Sequence, residues 1–271
     1  MDGVPPEGRA LFGPAGWSYA DWAGTVYPRP RPPGFQPLAF IAERFDFVEV
    51  NTTFYRLPDL RLTSGWARKV APFPDFRFWV KLPGEFSHGS GGDAALARRF
   101  LDSLAPLRET GQLTGLLAQF PYSFRPDIAA RSRLESLAAW FVALPLAVEF
   151  RHRAWDRPGV VDFCRHRGLV FANIDQPPVA ESLGATTHVT RADIAYLRLH
   201  GRNAGSWFSA AGRDARYDYL YSAPELDELA ERVRELKAAA RQVFVCGNNH
   251  YKGSAVRNLQ ELQRRLAAEG D

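Results

Sequence analysis

The sequence predicts a single (β/α)8 barrel domain over residues 1–271, and three observations carry that expectation. Eight short β-rich runs alternate with longer helical patterns along the chain. No GxGxxG or GxxxxGK[ST] follows any of these runs, so the nucleotide fingerprints of the rival doubly wound sheet are missing. Polar residues gather at the ends of the runs, where a barrel of this kind carries its chemistry.

In order, the expected strands are 11–17, 45–51, 77–82, 113–120, 146–152, 170–175, 194–200 and 242–249, each bounded by Gly, Pro, Asn or Asp. Apolar residues at helical spacing mark 93–109, 127–143, 223–240 and 254–268. Ser222 and Glu225 fit a capping box opening the third of these, with Pro224 in its first turn. Segment 176–193 is weakly patterned, so its helix is expected to be short or missing. The stretch 27–37 (YPRPRPPGFQP) reads as a stiff loop rather than a linker.

A chain of 271 residues with 46% hydrophobic and 24% charged residues is not a disordered one. No apolar run approaches the roughly 20 residues that span a bilayer, and no basic segment precedes an apolar one at the N-terminus. A cytoplasmic location without membrane association is therefore expected. The net charge of +4 permits an anionic ligand without demanding nucleic acid. Lysine occurs only four times among 34 basic residues, which makes Lys81, in an apolar segment, stand out. Cys164 and Cys246 show neither a CxxC pair nor zinc spacing and are expected to be buried, reduced thiols.

The two-residue period of a strand groups the polar ends. Glu49 and Asn51 close the second strand, Lys81 the third and Gln119 the fourth. Glu149 and Arg151 close the fifth, Asn173 and Asp175 the sixth, Arg198 and His200 the seventh, and Asn248, Asn249 and His250 the eighth. Any one of them can simply mark where the core meets water. As a set they converge on one mouth, and unlike charges buried together must pair or serve a ligand. Loop aromatics follow the same strands, among them Trp17, Tyr19 and Tyr55, and such a wall stacks on sugar faces or bases. The last loop, 247–254, opens a helix whose backbone amides are suited to a phosphate.

Seven segments resemble the DUF72 family, also called YecE-like proteins. They are GWSYADWAGTVYP (16–28), FVEVNTTFYRLP (47–58), KLPGEFSH (81–88), LLAQFPYSF (116–124), AVEFRHRAW (147–155), YLRLHGR (196–202) and NNHYKGSAVRN (248–258). The resemblance implies a TIM-like barrel, loosely associated with sugar-isomerase-like folds, and brings no established function. It departs from the family pattern at Pro14-Ala15 before Gly16 and within 82–87.

The residues themselves suggest acid/base chemistry on a small sugar-like or anionic substrate, phosphorylated ones included. Glu49 or Glu149 would be the base, and Lys81 or His200 the acid or electrophile. Arg151 and Arg198 would hold an anionic group. Trp17, Tyr19, Asn51, Tyr55, Gln119, Asp175, Asn248, Asn249 and His250 would complete the binding surface. Metal-assisted phosphodiester hydrolysis by Glu49, Glu149, Asp175, His200 and His250 is one alternative. Glycoside hydrolysis by Glu49 and Glu149 is another, and a non-catalytic nucleic-acid or small-anion module a third. No cofactor and no metal ligand set is assigned. Glu149→Gln and Arg151→Ala are each expected to abolish binding or turnover with little change in stability.

Overall fold

A computed structural model describes residues 8–207 and 216–268. Eight strands form one parallel sheet: β1 (Arg9–Pro14), β2 (Phe47–Val50), β3 (Arg77–Lys81), β4 (Leu113–Gln119), β5 (Leu146–Glu149), β6 (Leu169–Asp175), β7 (Ile194–Leu199) and β8 (Gln242–Gly247). Their order, β1-β8-β7-β6-β5-β4-β3-β2, brings the first two strands together and all but closes the barrel. At that seam Asp46 N–H donates to Phe12 O and Gly16 N–H to Glu49 O, both at 2.9 Å. The Asp46 carboxylate also accepts from Phe12 N–H at 2.9 Å. Gly13 permits the approach, since a Cβ there would stand 2.1 Å from the Phe47 carbonyl oxygen.

Nine helices are described: α1 (Pro37–Ala42), α2 (Leu60–Val70), α3 (Gly84–Ser87), α4 (Ala94–Ser103), α5 (Ala105–Glu109), α6 (Ile128–Trp140), α7 (Pro158–His166), α8 (Ala223–Ala239) and α9 (Ser254–Ala267). Asp59, Asp93 and Asp127 start α2, α4 and α6, each accepting from a backbone N–H in the first turn at 2.6–2.7 Å. The helix expected over 93–109 is two helices, because Pro106 lacks the N–H that would continue α4. Ser222 and Glu225 form the expected capping box of α8, with Ser222 N–H on Glu225 Oε2 at 2.8 Å. Segment 176–193 has no helix. Asn173 Oδ1 pins it by accepting from Thr186 Oγ1 and His188 N–H, both at 2.8 Å.

The apolar core falls into two bodies. One lies between the sheet and the helices. The other fills the barrel, with Phe47, Trp79, Leu117, Ala147, Tyr196 and Phe244 among its members. Trp79 meets Tyr196 at 4.4 Å and Phe244 at 5.3 Å between ring centroids, contacts between strands that are not neighbours. Gly115 leaves room for Trp79, whose ring a Cβ there would meet at 2.6 Å. Cys164 and Cys246 are both buried and unbridged, as expected. No described helix is long and apolar enough to cross a membrane.

Candidate functional site

Strand alternation builds the site directly on the apolar plug. Two residues beyond Phe47, Trp79, Leu117, Ala147, Tyr196 and Cys246 stand Glu49, Lys81, Gln119, Glu149, Arg198 and Asn248. Lys81, Gln119, Arg198 and Asn248 of this layer line a cavity of about 1020 Å³ at the C-terminal end of the barrel, with Glu49 and Glu149 beneath them.

Arg198 holds the floor together. Its Nε and Nη2 donate to Glu49 Oε2 and Oε1 at 2.9 and 2.5 Å, and its Nη1 reaches Glu149 Oε2. Tyr196 Oη adds a bond to Glu49 Oε2 at 2.9 Å. The other oxygen of Glu149 pairs with Arg151 Nε at 2.6 Å. Both glutamates are fully buried, so two carboxylates and two guanidiniums balance beneath the cavity. Burial works against the Glu149 carboxylate, but Arg151, Arg198 and His200 hold it well below the usual carboxylate range.

His200 lies in the same network. Asn248 Nδ2 donates to its Nδ1 at 2.9 Å, which places the imidazole proton on Nε2, 3.3 Å from Glu149 Oε1. Burial and then Arg151 push the His200 pKa down to about 3 against the pull of Glu149, so the ring is neutral at physiological pH.

Lys81 differs from its neighbours. Its Nζ donates to the neutral Gln119 Oε1 at 2.6 Å and lies 4.5 Å from the Phe54 ring centroid. Burial first, and the Arg198 guanidinium next, bring its pKa down to about 7, with Glu149 and Glu49 pulling the other way and Arg151 adding to the fall. His88, on the same cavity wall, is lowered by burial and then by Lys81 and Arg151.

Trp17, Tyr19, Asn51, Tyr55, Lys81, Gln119, Arg151, Arg198, Asn248 and His250 all line the cavity. Tyr19 stacks on His250 at 4.4 Å, and Tyr55 stands 71% exposed at the rim. Glu49, Glu149 and His200 are brought to the same place but sit below the floor, engaged with arginine or amide partners.

Two expectations are corrected. Asp175 has the opposite parity from the interior residues Val170 and Ala172. It accepts from Arg202 at 3.0 and 2.9 Å, Arg232 at 3.1 Å and Tyr221 at 2.7 Å, tying β6 to α8, and it does not line the cavity. Asn249 is likewise one residue out of phase with Asn248, and its amide bonds Tyr219 O and Asn258 Oδ1. The phosphate corner expected at 247–254 is also engaged. Asp21 Oδ2 accepts from Lys252 N–H at 2.6 Å, and Ala255 N–H donates to Asn249 O at 2.9 Å.

The alternative chemistries do not find their donors. Among the described residues no three or more His, Cys, Asp or Glu side chains are placed to hold a metal ion. The carboxylates considered for that role are paired with guanidiniums, so the described residues do not fit a metal centre. A glycosidase needs a protonated carboxyl at the substrate, and the electrostatics of Glu149 oppose one.

Sequence reasoning missed the outer cations Arg56, Lys69 and Arg216, and also Trp66, all of which line the cavity. In an arginine-rich chain nothing distinguishes Arg56 or Arg216. Lys69, one of four lysines, carried the only signal.

The model of a protein family of unknown function, DUF72, matches residues 11–271. The UPF0759 protein YunF of Bacillus subtilis is 27% identical over 95% of both chains. A DUF72 family protein of Thermotoga maritima superposes with a TM-score of 0.85 at 37% identity, covering 95% of this chain and 99% of that one. Another, from Enterococcus faecalis, gives 0.85 at 26% identity over 96% of both. A xylose isomerase-like TIM barrel fused to a 4-hydroxyphenylpyruvate dioxygenase gives a TM-score of 0.52 at 14% identity, covering 96% of this chain and 44% of that one, a likeness of fold alone. With its family model, its relatives and its barrel in agreement, the chain belongs to the DUF72 family.

Proposed function

We propose that the cavity binds a small anionic, sugar-sized molecule and that Lys81 exchanges a proton with it. One observation carries this reading. The described residues lining the cavity include six basic side chains, Arg56, Lys69, Lys81, Arg151, Arg198 and Arg216, and no Asp or Glu. Arg151 and Arg198 are offset by Glu149 and Glu49, so the excess rests on Arg56, Lys69, Arg216 and the protonated form of Lys81, and in a concave site such an excess attracts and retains negative charge. Asn51, Gln119 and Asn248 offer amides for hydroxyl groups, and Trp17, Tyr19 and Trp207 offer ring faces.

Arg151 is held by its ion pair with Glu149 and by an Nη1 hydrogen bond to Gln176 Oε1, which leaves it N–H donors for an anion. Lys81, with a pKa near 7, is present in both protonation states at neutral pH, the condition under which an acid/base group works best. Because both floor carboxylates are bound by arginines, a binder without turnover is the competing reading.

Thermal unfolding in the presence of sugar phosphates and their parent sugars tests the binding. Phosphorylated compounds are expected to raise the melting temperature, less so at high salt. Equal effects from the neutral sugars, or no effect from either, overturn the anionic reading. Deuterium uptake from heavy water into a bound sugar phosphate, lost in Lys81→Met, separates catalysis from binding.

A further inference from the structure

We propose that Lys81 forms a covalent imine with the carbonyl carbon of an open-chain sugar phosphate, so that the cavity works by nucleophilic catalysis. This rests on the anionic reading of the cavity and goes beyond proton exchange. Three features of the floor carry it. First, Lys81 Nζ makes no ion pair with any described residue, and its hydrogen bond goes to the neutral Gln119 Oε1 at 2.6 Å. A lysine with a carboxylate partner would be held as an ammonium, which has no lone pair to donate.

Second, the nearest acids cannot supply that partner. Glu49 pairs with Arg198, and Glu149 with Arg198 and Arg151, so each acid already has a cationic partner other than Lys81. Third, the amine lies 4.5 Å from the Phe54 ring centroid and lines the cavity, so a carbonyl compound held there comes within its reach. Its low basicity, described above, is consistent with this setting.

In the step, the lone pair of neutral Nζ attacks the carbonyl carbon, and the carbonyl π electrons move to oxygen. A proton passes from nitrogen to that oxygen, giving a carbinolamine. The hydroxyl then leaves as water with a proton taken from solvent, the equivalent of the one the ammonium gave up in becoming neutral, while nitrogen keeps its last hydrogen and the protonated C=N bond forms. One water is released and nothing is oxidised or reduced. The resulting cation draws electrons from the adjacent carbon, which then gives up its proton more readily.

Borohydride trapping reads the imine directly, since hydride reduces C=N to a stable secondary amine. The full chain is incubated with glyceraldehyde 3-phosphate, or with glyceraldehyde, at neutral pH and low temperature, then reduced and mapped by peptide mass spectrometry. The chain has only four lysines, so the labelled one is identified in the unmodified protein and no variant need fold. Glyceraldehyde 3-phosphate is expected to label Lys81 at least about tenfold faster than Lys69, Lys237 or Lys252. Lys81→Met is expected to lose that label and keep the slow labelling of the others. Absence of label on Lys81, or label concentrated on Lys69 at the rim or spread evenly, overturns the imine. Equal labelling of Lys81 by glyceraldehyde and by its 3-phosphate supports the imine and removes the anionic reading. Thermal protection by sugar phosphates with no label on Lys81 does the reverse.

Discussion

Arg198 on β7 grips Glu49 on β2 across the barrel through two hydrogen bonds of 2.9 and 2.5 Å, joining strands that have β8 and β1 between them. The pair sits immediately above the aromatic plug, and the same guanidinium reaches Glu149 on β5. One side chain thus fastens three strands and takes both acidic groups out of contact with a ligand.

Removing one partner leaves charge buried without compensation. Arg198→Met and Glu149→Gln are each expected to cost about 3–5 kcal/mol of stability. For Glu149 this replaces the small change expected from sequence, because the group is fully buried between two guanidiniums. Urea unfolding followed by circular dichroism measures it, and a loss under about 1 kcal/mol means the network does not hold the barrel.

Lys81 gives stability a pH dependence of definite sign. Its pKa is about 7 in the folded chain against 10.5 for an ordinary lysine. Between those values the unfolded chain binds a proton that the folded chain lacks, so stability rises with pH. Below about 7 both states are protonated, and the cost of burying the ammonium is present in full. The wild type is therefore expected to gain stability relative to Lys81→Met from pH 7 to 10. Parallel curves for the two proteins in that window would remove the depressed pKa.

On the proposed reading, the outer cations act on binding rather than folding. Arg56→Ala and Lys69→Ala are each expected to weaken sugar-phosphate affinity by about two- to fivefold at low salt, the size of an exposed ion pair. The difference shrinks at high salt, and the melting temperature hardly moves. Calorimetric titration at two salt concentrations decides it.

Asp175 separates scaffold from site. Its carboxylate is enclosed by Arg202, Arg232 and Tyr221 behind the barrel wall. Asp175→Asn is expected to lower stability by about 3 kcal/mol or more while the folded protein keeps its affinity for sugar phosphates. A selective loss of affinity in a stably folded variant would return Asp175 to the ligand.

Much of this site was legible because strand alternation is a rigid rule. Glu49, Lys81, Gln119, Glu149, Arg198 and Asn248 each follow an interior apolar residue by two and form one layer at the foot of the cavity. The same rule explains the errors. Asp175 and Asn249 close their strands as polar residues do, but Val170 and Cys246 set the inward parity, which excludes both. Pairing was hidden for a different reason. The choice of Arg198 rather than a ligand as the partner of Glu49 depends on barrel closure, which brings together residues 149 positions apart. Arg56 and Arg216 lie in connections, where no period fixes direction.

Where the last loop meets the first, Asp21 already takes the Lys252 amide. The corner in which many barrels seat a phosphate on main-chain donors is thus occupied by the protein's own carboxylate. On the proposed reading, an incoming anion is recognised by the guanidinium and ammonium groups that line the cavity. Main-chain donors persist through any substitution, whereas these are encoded one codon at a time, so ligand preference in such a barrel can drift by single replacements without disturbing the frame that carries them.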